Sequence, residues 1–216
     1  MLRHWHVDES FRGSTYLLAA VSPRTADSAA LRARVRSLPS GRTVRVHMTN
    51  EAPHERRRII RTVVEFPVDA VVVMSKRGPG DRMRTTRDRC LRALIERLLA
   101  EGADEITLES CDEDAADRRV VREALSDRGR RDVSYSHDSP SSDCLLWLPD
   151  VLAWAHGAGG QWRRQIAPLI RAVVTAARSP AYSPSGELPG PLPGATAPGS
   201  QSFSRSARPV NRMTGR

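Results

Sequence analysis

His4-Trp5-His6-Val7-Asp8-Glu9-Ser10 is followed, three residues later, by Ser14-Thr15-Tyr16-Leu17-Leu18-Ala19-Ala20-Val21. In the first run Trp5 and Val7 alternate with polar neighbours, the signature of a half-buried strand. The second run is apolar nearly throughout. Together they predict an antiparallel hairpin whose first strand stops on two carboxylates. Acids at a strand edge, held by a hairpin, form a rigid place for a metal ion. Two later segments offer partners, Ile106-Thr107-Leu108-Glu109-Ser110 and Leu145-Leu146-Trp147-Leu148-Pro149-Asp150-Val151-Leu152-Ala153-Trp154. The expectation is that the chain brings Asp8, Glu109 and Asp150 together.

Outward from the hairpin, the spacing predicts helices over 29–38, 54–66, 81–100, 115–125 and 162–178. Residues 139–143 are expected to cap a further helix carrying Asp150. Alternation predicts a strand over 44–48, and β-branched runs predict strands over 69–74, 106–110 and 133–137. The 69–74 run is apolar at nearly every position, as in a strand buried on both faces. A hairpin followed by alternating strands and helices implies an α/β fold: three layers, a mixed central sheet and helices on both faces. The folded domain is expected over 1–178. From Ser179 onward, 19 of 38 residues are Pro, Gly or Ser, too few of them apolar to offset ordering entropy, so 179–216 reads as a disordered tail.

The 216 residues carry a net charge of +9 and a pI near 10.7. That charge points to an anionic partner, nucleic acid first, although coding bias is an alternative because Lys76 is the sole lysine. Three cysteines without a CxxC pair argue against a disulfide framework or structural zinc and fit a cytoplasmic protein. No signal peptide is evident, and no run of about 18 apolar residues could cross a membrane. Ser10 and Ser110 lack a nucleophile elbow. Gly78-Pro79-Gly80 is not a phosphate loop, and the absence of a Gly-rich first turn disfavours a Rossmann-like nucleotide site.

The order of parts resembles the RNase H-like superfamily. The closer likeness is to the bacterial family designated domain of unknown function three thousand eight hundred. Asp8-Glu9-Ser10 resembles that family's Asp-Glu-Ser opening. His47 resembles a histidine ending its third strand. Leu145 to Ala153 resembles its late helix, Leu-Gln-hydrophobic-Ala-Asp-hydrophobic-hydrophobic-Ala. The chain departs from that pattern at Glu109 (Asp in the family), Trp147 (Gln) and Pro149 (Ala). Proline there demands a late helix start or a kink.

The resemblance implies metal-dependent hydrolysis of nucleic-acid phosphodiester bonds by two Mg2+ or Mn2+ ions, with Asp8, Glu109 and Asp150 catalytic. Glu9 is a secondary metal ligand, because it alternates away from Asp8. His47 is placed to orient water or steady a phosphate. Arg82, Arg84, Arg87 and Arg89 are candidates for tracking the nucleic-acid backbone. Each assignment has a plainer counterpart: a polar turn at Asp8-Glu9, a solvated strand edge at Glu109, an ion-paired helix face for the arginines. His4 and His6 read as ordinary surface histidines. The rival to the nuclease is a non-catalytic RNase H-like module binding nucleic acid or a protein partner.

Overall fold

The structure, a computed structural model, describes residues 2–24, 28–40 and 44–177. The expected tail, 179–216, lies outside them. The first strand, β1 (His4–Arg12), turns through Gly13 into β2 (Thr15–Pro23). Next come α1 (Ser28–Arg36), α2 (Pro53–Val63), β3 (Val68–Lys76), α3 (Met83–Ala100) and β4 (Glu105–Glu109). The chain continues through α4 (Asp114–Asp127), β5 (Ser134–Asp138), α5 (Trp147–Ala158), α6 (Gly160–Ile166) and β6 (Ile170–Thr175).

The strands form one sheet in the order β5-β4-β1-β2-β3-β6. β1, β2 and β3 are antiparallel neighbours. β4 lies parallel to β1, β5 parallel to β4, and β6 parallel to β3. Each parallel pair needs a crossover, and the helices supply it on both faces. The fold is therefore the three-layer α/β arrangement with a mixed sheet that the sequence implies.

Strand alternation sorts the core into two halves. Leu17, Ala19, Val21, Ala70 and Val72 face α1, α2 and α5. Tyr16, Leu18, Ala20, Val71 and Val73 face α3 and α4. β2 and β3 are buried on both faces, which is why they are apolar nearly throughout. Leu91, Leu94, Ile95 and Leu98 recur at helical spacing on α3 and are at most 1% exposed. Burying each such side chain contributes about 1.5–3 kcal/mol.

Three expectations fail. The first strand does not stop on Asp8 and Glu9; β1 runs on to Arg12, its residues Ser10, Phe11 and Arg12 still paired with β2. Residues 44–48 form no strand; they lie in a loop that ends in a turn. Val46 and Met48 are buried nonetheless, so their alternation reflects two apolar anchors, and the Met48 amide donates to Asp150 instead of to a neighbouring strand. The helix expected over 162–178 ends at Ile166, passes through a 3-10 turn at Ala167–Leu169, and gives way to β6. Pro168 cannot continue a helix, and Ile170, Val173, Val174 and Thr175 are β-branched residues meeting the open edge of β3.

Pro149 is accommodated by the late start, without a kink. A 3-10 turn over Cys144–Leu146 leads into α5, where Pro149 is the third residue. The amide it lacks is one of the four a helix start leaves unbonded. Gly159, at φ 72°, ends α5 in a conformation that suits glycine.

Candidate functional site: a carboxylate cleft beside β1

Asp8 pairs with Ala19 across the hairpin. On the other side β4 runs in parallel register with Val7 opposite Leu108, so Glu109 comes alongside Asp8. Odd and even positions point to opposite faces, and both acids take the face covered by α5. Their side chains are close enough for the charge of Glu109 to act on Asp8. Asp150 comes from the first turn of α5, which packs across β1 and β2. All three line one cleft of about 570 Å³.

The electrostatics follow from this crowding. Burial pushes the Asp8 carboxyl well above the ordinary range, and the charges of Glu109 and Asp150 push it further. Burial also raises Glu109; Arg45, with Nη1 3.9 Å from its Oε1, pulls the other way. A carboxylate pair taken from water and set side by side favours either a shared proton or a cation.

Asp150 is held differently. Its Oδ2 accepts the Met48 amide at 2.8 Å and lies 3.6 Å from His47 Nδ1. That contact raises the His47 pKa. The buried Val46 and Met48 pin this loop over the start of α5, so His47 stands beside Asp150 from a loop and not from a strand end. Among the described residues, no group of three or more His, Cys, Asp or Glu side chains is drawn together as metal ligands would be. The donors that do line the cleft are hard oxygens, which suit Mg2+ or Mn2+ better than softer metals.

Glu9 points away from the pair, toward α3. The Tyr16 hydroxyl donates to it and Arg87 forms an ion pair with it. The arginines of α3 share that opposite face. Arg87 is buried and binds Asp117 through Nε at 3.0 Å and Nη2 at 2.6 Å. Arg84 binds Asp117 at 3.0 Å and Glu113 at 2.7 Å. Arg89 lies 3.3 Å from Asp81. Arg82, just ahead of α3, is exposed. The α3 arginines thus neutralise acids, chiefly of α4, and do not line the cleft.

The cations that do line it are Arg12, Arg45 and Arg56. Arg12 was legible: carrying the alternation of β1 on from Asp8 through Ser10 reaches it on the same face. Arg56 stood in the Arg56-Arg57-Arg58 run without a sign of which arginine turns inward. His6 is also not a surface residue. It is 1% exposed, and its Nε2 lies 3.0 Å from Asp143 Oδ2. Arg32 pairs with the same carboxylate. His4 stacks 4.1 Å from His6, and burial, then the neighbouring His6, lowers its pKa to about 4.

No family model matches the chain, and no curated protein matches it. Among solved structures it is similar to a chain in the structure of the PCNA:RNase HII complex from Archaeoglobus fulgidus. Identity is 14% over 78% of this chain and 76% of that one, with a TM-score of 0.48. No helix among the described residues is long and apolar enough to cross a membrane. The strand order and the cleft describe a mixed-sheet α/β domain with three acids, from two strands and a helix, facing one opening.

Proposed function

We propose that the cleft hydrolyses nucleic-acid phosphodiester bonds with the help of divalent cations. The observation that carries this reading is the Asp8–Glu109 pair: two neighbouring carboxylates whose charges bear on each other, partly withdrawn from water, with a third acid lining the same cleft. Such an arrangement is costly without a counter-charge. Asp8 and Glu109 would hold the metal, with Asp150 completing the set. Bound Mg2+ or Mn2+ would supply a nucleophilic hydroxide and stabilise charge on the phosphate. Asp150 keeps His47 protonated to higher pH, in a form able to steady a phosphate oxygen. Arg45 offsets part of the acid charge beside Glu109. The net charge of +9 favours a polyanionic substrate.

The rival is a nucleic-acid or protein-binding module without catalysis. The engagement of Asp150 by the Met48 amide favours it, since that bond occupies one of its oxygens. A cleavage assay with Mg2+ or Mn2+ on single- and double-stranded DNA and RNA separates the two. The nuclease reading expects activity that falls at least a hundredfold in both Asp8→Asn and Asp150→Asn, about 2.7 kcal/mol of barrier. Wild-type activity that survives both substitutions unchanged, or no cleavage of any substrate, overturns it.

A further inference from the structure

We propose that Arg12 and Arg56, mounted on the indole of Trp154, form a subsite for the sugar-phosphate backbone of a nucleic-acid strand, about two to four nucleotides from the carboxylate pair. The proposal deepens the reading above and rests on it for the identity of the strand.

The guanidinium carbons of Arg12 and Arg56 lie 5.1 and 4.7 Å from the centroid of the Trp154 ring. Both distances are within cation–π range. Trp162 meets the same indole edge-on at 5.5 Å, and Trp154 is left 6% exposed. A ring so covered cannot stack on a base. Its role is to hold the two cations.

The mounting is specific. A Cβ added at Gly157 would stand 3.0 Å from Arg12 Cγ. The absence of a side chain on α5 is what lets the Arg12 stem lie against the helix. Arg56 is oriented by donating to the carbonyls of Met48 and Thr49 at 2.9 and 2.8 Å. Those bonds aim the guanidinium without neutralising it. Among the described residues neither Arg12 nor Arg56 forms an ion pair, whereas Arg84, Arg87 and Arg89 all do. Two unneutralised cations on one indole, facing the cleft, are complementary to an anion.

Position identifies which anion. Trp154 follows Asp150 by one helical turn, about 6 Å along α5. Arg12 follows Asp8 by four residues on the same strand face, about 13 Å along β1. A nucleic-acid strand places a phosphate about every 3.4 Å of helix axis. The arginines therefore lie too far along for the bond at the carboxylates and at the right distance for phosphates about two to four nucleotides away. Because no base edge is read, binding there is independent of sequence.

The test uses the full chain in EDTA and fluorescein-labelled single-stranded DNA and RNA oligonucleotides of mixed sequence, followed by anisotropy across a salt series. Arg12→Ala is expected to weaken binding about tenfold and to lower the slope of log K against log salt by about 0.7–0.9. Gly157→Ala keeps every charge but displaces the Arg12 stem, and is expected to weaken binding severalfold. Arg122→Ala removes an exposed arginine from α4 on the opposite face and is expected to bind as wild type. Circular dichroism melts check folding, which matters most for Arg56→Ala because Arg56 also ties the 48–49 loop.

Wild-type affinity in Arg12→Ala, an equal loss in Arg122→Ala, or no binding by wild type at low salt overturns the subsite. The two readings fail separately. Magnesium-dependent cleavage with unchanged Arg12→Ala affinity rejects the subsite alone. Weakened Arg12→Ala binding with no cleavage by wild type rejects catalysis alone.

Discussion

Replacing Asp143 by alanine removes three supports at once. Its Oδ2 lies 3.0 Å from His6 Nε2, its carboxylate pairs with Arg32, and its Oδ1 accepts the Leu145 amide at 2.9 Å. The last bond caps the turn that leads into α5 and so to Asp150. A lost cap costs about 1 kcal/mol, and a lost hydrogen bond to a charged group about 1.5–3 kcal/mol. His6, 1% exposed, would be left without that partner. The expected destabilisation is about 3–5 kcal/mol, the range for breaking a buried pair, out of a total stability of about 5–15 kcal/mol. Urea denaturation followed by circular dichroism measures it. Asp143→Asn keeps the cap acceptor but not the charge, and should lose about half as much.

The pH dependence has a definite sign. Burial pushes Asp143 up, but hydrogen bonds from His6 and Arg32 outweigh it and hold the carboxyl well below the usual range. A depressed folded-state pKa means the contribution is present above the unfolded value, about 3.9, and is lost as pH falls through the lower folded value. The gap between wild type and Asp143→Ala should therefore narrow in acid below about pH 4. A loss under about 1 kcal/mol, or a gap that stays constant into strong acid, refutes the reasoning.

Asp8→Asn in chelator should stabilise the fold at neutral pH. The raised Asp8 pKa means its favourable contribution is complete below the unfolded value and is lost as pH rises through the folded one. The expected Tm rise is about 2–4 °C for each kcal/mol relieved; a lower Tm would show that the ionised carboxylate is well satisfied without a cation. Asp117 is fully buried and binds both Arg84 and Arg87. Asp117→Ala should cost about 3–5 kcal/mol in urea denaturation, and a loss within 0.5 kcal/mol would contradict the structural role given to those arginines. On the same reasoning Arg84→Ala should bind oligonucleotides as wild type does, and a weaker complex by anisotropy would restore α3 as a backbone contact.

The hairpin, the doubly buried β3 and the leucine face of α3 were legible because each is written in local periodicity. An apolar residue at every second or every third and fourth position says which face is covered, whatever covers it. Glu109 and Asp150 could be named for a related reason: one ends β4 and the other stands in the first turn of α5, while Asp8, inside β1, stood out as the acid that follows the Trp5-Val7 alternation. Val44 to Met48 shows where that logic stops, since alternation records burial but not the presence of a neighbouring strand to bond. The 162–178 stretch fails likewise: Pro168 and its β-branched successors were in plain view, yet the open edge of β3 that receives β6 lies some hundred positions earlier.

What only tertiary structure decided is the pairing of charges. His6 and Asp143 stand 137 residues apart, Met48 and Asp150 102 apart, Arg87 and Asp117 30 apart. Nothing within a window of neighbours tells an arginine spent on a buried acid, such as Arg87, from one aimed into a cleft, such as Arg56. Faces are set by covalent spacing along the chain, so the sequence determined them alone. Electrostatic partners are set by distance in space, and that exists only once sheet order and helix packing have closed.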